Sequence, residues 1–142
     1  MKKSILGFVA IFVSILVFSS CGATKQSAAS LLSGRWNIME VMGEKLTGEK
    51  LPFLDFDAAQ GRLSGNAGCN NFNAAFKLDP TKPASLKIMP AAATLMACPD
   101  MENEAKVLKA FENVASVKKV GSALQLLDNN GAVVYLLEKA LN

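Results

Sequence analysis

The sequence predicts an α+β domain: a small antiparallel, barrel-like curled β-sheet with one helix packed across it. Three observations lead there. Short runs of alternating apolar and polar residues, punctuated by turn residues, recur through most of the chain. One stretch, "PDMENEAKVLKAFENV", has a helical period instead. The strand-like runs follow one another through short connections, which favour antiparallel pairing, and a lone helix can cover one face or plug an open edge.

The elements follow in order. In "GRWNIMEVMGE", Trp36, Ile38 and Met42 alternate and Gly43-Glu44 makes a turn, which gives a first strand. "PFLDFD" sets Leu54 and Phe56 against Phe53, Asp55 and Asp57, and "GRLSGN" is a short return strand. "AAFKLD" and "ASLKIMP" are two more, separated by the turn-rich "PTKP". Pro99 and Asp100 suit a helix start, and Asp100, Glu102 and Glu104 favour its positive N-terminal end. Met101, Ala105, Leu108 and Phe111 fall at helical spacing and are expected to face the sheet. "SVKKVG", "ALQLLD" and "AVVYLLE" complete the meander, the last two flanking the hairpin signal "NNG".

Ahead of the domain, Lys2 and Lys3 precede an apolar run from Ile5 to Phe18. A basic start and a short apolar stretch are the layout of a secretory signal peptide, and the run falls short of the roughly 20 apolar residues of a membrane-spanning helix. Phe18, Ser19 and Ser20 lead to Cys21, and Gly22 follows; this resembles the lipobox of bacterial lipoproteins, with Phe18 where many lipoboxes carry Leu. The resemblance implies a diacylglycerol on Cys21, cleavage just before it and acylation of the new amine. The competing readings are an uncleaved anchor or an ordinary signal peptide cut near Ser20. The expected organisation is a signal peptide over 1–20, a lipidated flexible tether over 21–33 and a domain over 34–140.

Composition narrows function further. The chain has no histidine, which excludes Ser-His and Cys-His nucleophile pairs and His-ligated metal sites. Its formal charge of +3 falls to about +1 once Lys2 and Lys3 leave with the signal, so no nucleic-acid partner is expected. The lysines at 77, 82, 87, 106, 109, 118 and 119 alternate with apolar residues and read as solvated faces. Asp55 and Asp57, and Glu102 and Glu104, are the closest carboxylate pairs; an exposed acidic face is the expected outcome, and no cofactor, metal or catalytic residue is assigned.

Two stretches stand out. "LSGNAGCNNFNAAF" holds Gly65, Asn66, Gly68, Asn70, Asn71, Phe72 and Asn73. Asparagine bonds to nearby backbone and tolerates left-handed conformations, and glycine removes the steric penalty. The reading is a tight, self-bonded loop that reverses the chain and aims Phe72 inward; a polar ligand pocket is the alternative. In "PAAATLMACPDMENE", Cys98 precedes the helix. If lipid consumes Cys21, Cys69 and Cys98 are an even pair in an oxidising compartment, where a disulfide is the default. It would close a loop of roughly 30 residues, on the order of 3–4 kcal/mol by chain entropy. Two buried free thiols, or a redox pair without C-x-x-C spacing, are the other options.

"GRWNIMEV", "GNAGCNNFNAAF", "TLMACPDMENE" and "ALQLLDNNGAVVYL" together resemble the META domain family of HslJ-like heat-inducible proteins, over roughly Leu31 to Leu137. The resemblance implies a small antiparallel sheet or cracked barrel with a helix across it. It also implies an envelope lipoprotein or secreted protein, in some members linked to stress and antibiotic tolerance, and supplies no catalytic residues. A related fold occurs in lipoproteins that pilot outer-membrane secretins. The expectation is a non-enzymatic, lipid-anchored protein at the outer membrane, facing the periplasm, that binds another envelope protein or assists its assembly. The alternative is a carrier for a hydrophobic small molecule inside the curled sheet.

Overall fold

The structure, a computed structural model, describes residues 26–48, 50–99 and 101–141. The expected signal peptide, Cys21 and Asp100 lie outside the described residues.

Ten strands form one antiparallel sheet that curls into a nearly closed barrel with one seam. Its central strand, β1 (Gly34–Val41), pairs with β3 (Phe53–Asp57) on one side and β10 (Val133–Lys139) on the other. From β3 the sheet runs through β4 (Arg62–Asn66) and β5 (Asn71–Lys77) to the two-residue β6 (Lys87–Ile88). From β10 it runs through β9 (Ala123–Leu127) to β8 (Ser116–Val120). Two short pieces lie off this path: β2 (Glu44–Lys45) pairs with β1, and β7 (Ala92–Ala93) with β5. At the seam the Leu86 N–H donates to the Ala115 carbonyl (3.0 Å) and the Val117 N–H to that of Ala84 (2.9 Å). Beyond Val117 the β8 edge carries exposed Lys118 and Lys119, side chains that discourage another strand from adding there.

Period-two burial explains most strands. Leu54 and Phe56 in β3, Leu63 and Gly65 in β4, Phe72 and Phe76 in β5, and Leu124 and Leu126 in β9 all point inward. β1 departs from this pattern. A bulge between Ile38 and Glu40 shifts the phase by one residue. Val41 therefore takes the inward place expected for Met42, which sits in the turn, 65% exposed, at φ 50°.

Part of the stretch expected as a flexible tether, 21–33, is helical. Ala28–Leu32 forms helix α1, capped by Ser27, with Ala28 and Leu32 buried. The Ala28 N–H donates to the Pro83 carbonyl (2.7 Å) and the Trp36 indole N–H to that of Leu32 (3.0 Å). Burying a leucine is worth about 1.5–3 kcal/mol, and these bonds hold the backbone that delivers it. No described helix is long and apolar enough to cross a membrane.

Helix α2 (Met101–Lys109), continued by a 3-10 turn (Ala110–Asn113), packs across the other end of the barrel. Its inward face differs from expectation. Glu104, Val107, Ala110 and Phe111 are buried, whereas Met101 and Ala105 are exposed. The helix is rotated because a buried carboxylate, Glu104, has donors waiting in the loop between β4 and β5. Phe111 reaches into the interior, with ring centroids 5.3 Å from Phe72 and 5.8 Å from Tyr135. The Tyr135 hydroxyl donates to the Val107 carbonyl, and burial pushes its pKa well above the usual value near 10.

The two ends of the barrel are therefore distinct. At the start of β1 stands α1, whose Leu32 carbonyl accepts the Trp36 indole N–H. Beyond the end of β1 stands α2, bonded to the β4–β5 loop through Glu104 and to β2 through Lys106.

Candidate functional site

The asparagine-rich stretch is mostly strand. Gly65 and Asn66 end β4, Asn71, Phe72 and Asn73 begin β5, and only residues 67–70 form the loop. The loop bonds to itself as expected. The Asn66 Oδ1 accepts the Gly68 N–H (2.9 Å), and its Nδ2 donates to the Cys69 carbonyl (3.2 Å) and to Asn71 Oδ1 (3.0 Å). Gly68 has φ 126°, a conformation that suits glycine. Gly65 is needed for a different reason: a Cβ there would overlap the Phe53 carbonyl oxygen and meet the Phe72 ring. Phe72 points inward, fully buried.

Asn70 is the centre of the site. It is fully buried, and every polar atom of its side chain is used. Its Oδ1 accepts from the Thr94 hydroxyl (2.6 Å) and the Met96 N–H (2.7 Å). Its Nδ2 donates to the Met96 carbonyl (3.1 Å) and Glu104 Oε1 (2.9 Å), and its backbone N–H donates to Glu104 Oε2 (2.6 Å). Asn70 thus clamps three segments together: the β4–β5 loop, the chain at 94–96 and α2. Glu104 accepts two N–H donors in a bidentate arrangement, the kind of pairing that makes a buried carboxylate tolerable.

Cys69 and Cys98 form a disulfide beside the clamp, with Cα atoms 6.1 Å apart. The same two segments are therefore tied twice, once covalently and once through Asn70. Between the ties, residues 94–97 are pushed outward. Leu95 is 97% exposed and Met96 is 53% exposed. A groove of about 580 Å³ borders the disulfide, lined by Leu46, Lys50, Pro52, Cys69, Cys98 and Asn103 among others.

The carboxylate pairs are separated. Glu102 is exposed and lies 3.3 Å from Lys106, whereas Glu104 is buried in the clamp. Asp55 pairs with Arg35 (3.3 Å), and Asp57 accepts the Gln60 N–H in the following turn (3.1 Å). Among the described residues no three His, Cys, Asp or Glu side chains gather as a metal site would require. Lys106 also bonds Glu44 (2.7 Å); Glu44 and then Glu102 raise its pKa, and the pair fastens α2 to the β1–β2 turn.

Sequence reasoning placed Cys69, Cys98 and the asparagines but missed Thr94, Glu104 and exposed Leu95. A signal for Glu104 exists: it lies three residues before Val107 and seven before Phe111, on their helix stripe. An uncharged asparagine loop opposite that stripe gives a carboxylate there something to accept from.

The family model of the META domain matches residues 29–141. No curated protein matches the chain. Three solved structures share the fold. An NMR structure of a protein from Burkholderia xenovorans is 20% identical with a TM-score of 0.60, covering 81% of this chain and 88% of that one. A second NMR structure is 21% identical with a TM-score of 0.56, covering 75% and 89%. The crystal structure of a duf4847 family protein from Bacteroides vulgatus is 13% identical with a TM-score of 0.53, covering 78% and 95%.

Proposed function

The chain belongs to the META domain family, and from that membership and the clamp we propose a non-enzymatic binding module of the cell envelope. A lipid on Cys21 holds it at the membrane, and Leu95 and Met96 dock on another envelope protein. The observation that carries this reading is the exposure of Leu95, 97%, on a segment tied down at both ends. A large apolar side chain on a loose loop can fold back onto the surface. One held by Asn70 and a disulfide stays presented, and its ordering cost has already been met before any partner arrives.

The magnitudes suit a tethered protein. Burying one leucine contributes about 1.5–3 kcal/mol, so two such side chains reach the range of a weak complex, with millimolar affinity at about 4 kcal/mol. Confinement to one membrane surface raises the effective concentration and makes such an affinity useful. The stress-related role and the outer-membrane, periplasm-facing position belong to the same proposal and rest on the lipobox and the family.

The carrier reading places a hydrophobic molecule inside the sheet. There the Phe111 ring packs against those of Phe72 and Tyr135, so a ligand would have to displace them. Docking through Leu95 needs no such rearrangement. Site-specific photocrosslinking in intact cells tests the choice. A photoreactive residue at position 95 should capture a discrete envelope protein that one at exposed Asn129 does not; equal capture from both positions counts against the proposal.

A further inference from the structure

At the opposite end of the barrel, where α1 delivers the chain to β1, a pocket of about 380 Å³ opens. Lys119 and Lys139 stand on it together with Ser30, Ser33, Ser122 and Trp36, and no carboxylate among the described residues lines it. The topology explains the meeting. Lys139 is paired with Trp36 across β10 and β1, and Lys119 with Leu124 across β8 and β9, so both lysines close inward-facing rows at this rim. The Lys139 ammonium donates to the Ser33 carbonyl (2.6 Å) and sits 4.5 Å from the centre of the Trp36 ring. Neither lysine belongs to an ion pair among the described residues. Two lysines on one pocket with hydroxyls beside them, and no carboxylate paired with either among the described residues, make a site for a phosphate-bearing anion.

We propose that this pocket binds the phosphate of an anionic phospholipid headgroup. The choice of source rests on the lipid-anchored reading above. Ala28, the first residue of α1, is seven positions from Cys21. At about 3.6 Å per residue the intervening chain spans at most about 25 Å, so a lipidated Cys21 keeps this rim within reach of the bilayer surface. The lining also suits a headgroup rather than a bare ion. Leu31, Trp36 and Leu124 supply an apolar wall beside the cations, and a glycerol backbone can lie against it. Lys119, read from sequence as part of a solvated face, lines the pocket with no ion-pair partner among the described residues.

Trp36 is the chain's single tryptophan and lines the pocket, so its fluorescence reports occupancy without a label. The full-length protein purified from membranes in nonionic detergent is titrated with dihexanoyl phosphatidylglycerol, dihexanoyl phosphatidylcholine and inorganic phosphate. The expected result is a saturable change in Trp36 emission with the glycerol lipid, none with the choline lipid, and a response to inorganic phosphate only at much higher concentration. Lys119→Gln should weaken the phosphatidylglycerol response about tenfold, the loss of one charge-assisted contact, and Lys119→Arg should restore it. An equal response to phosphatidylcholine, or a response unchanged in Lys119→Gln, overturns the site. An equal response to inorganic phosphate overturns the headgroup assignment. The titrated lipids are free in solution and need no anchor, so a failure of lipidation at Cys21 is read separately from the protein's mass.

Discussion

Replacing Asn70 with alanine removes the clamp at its centre. The substitution deletes four side-chain hydrogen bonds: to Thr94, to both backbone groups of Met96 and to Glu104. Three of these are neutral and contribute about 1 kcal/mol each, and the one to the carboxylate contributes about 2 kcal/mol. Met96 is half exposed, so its orphaned groups recover some solvation, while Glu104 stays buried with one donor fewer. The expected loss is about 3–5 kcal/mol, a large part of the roughly 5–15 kcal/mol that stabilises a domain of this kind. Urea unfolding followed by circular dichroism, with the disulfide kept oxidised, measures it. Thr94→Val, which removes one bond, should cost about 1 kcal/mol. Combining Asn70→Ala with Glu104→Gln should give less than the sum of the single effects, because both remove the same contact. If Asn70→Ala is no more destabilising than Thr94→Val, the clamp does not hold the loop and the reasoning fails.

Three further outcomes are expected. Cys69→Ala with Cys98→Ala should lower the unfolding free energy by about 3–4 kcal/mol, the chain-entropy value for a loop of this length, with strand content unchanged, and thiol titration of the oxidised parent should find neither cysteine free. The Tyr135 phenol is held neutral in the fold, its pKa raised by burial. Stability from this group is complete below pH 10 and is lost as pH rises past the unfolded value near 10; Tyr135→Phe should lack that alkaline loss and should cost about 1 kcal/mol at neutral pH for the missing bond to Val107. Cys21→Ala should abolish labelling by a metabolically supplied fatty acid, and normal labelling of the variant would show that the lipobox reading is wrong.

What was legible in the sequence is what local periodicity carries. The strands around Trp36, Phe56, Leu63, Phe76, Val117 and Leu126 announce themselves by alternation, and "NNG" marks the β9–β10 hairpin and so the apolar run of β10. The pairing of β1 with β10 joins the two ends of the domain, and no local pattern encodes it. Met42 was misplaced because a bulge changes the phase of a strand without changing its composition. The helix face was misjudged because Glu104 counts as polar in any periodicity, yet here it is buried against partners 34 residues away. Helix α1 is too short to show a period, and its small residues look like linker until Ala28 is seen against Pro83. Leu95 gave no warning either: it reads as an ordinary apolar residue, and only the ties on both sides turn it outward.

Asn70, and not the disulfide alone, holds the segment carrying Leu95 and Met96. Amide hydrogen exchange at Met96, whose N–H donates to Asn70 Oδ1 at 2.7 Å, tests it most directly. Protection should persist in the parent protein after reduction of Cys69–Cys98 and should be lost in Asn70→Ala with the disulfide intact. Exchange that opens on reduction alone, or that stays protected in oxidised Asn70→Ala, would contradict it.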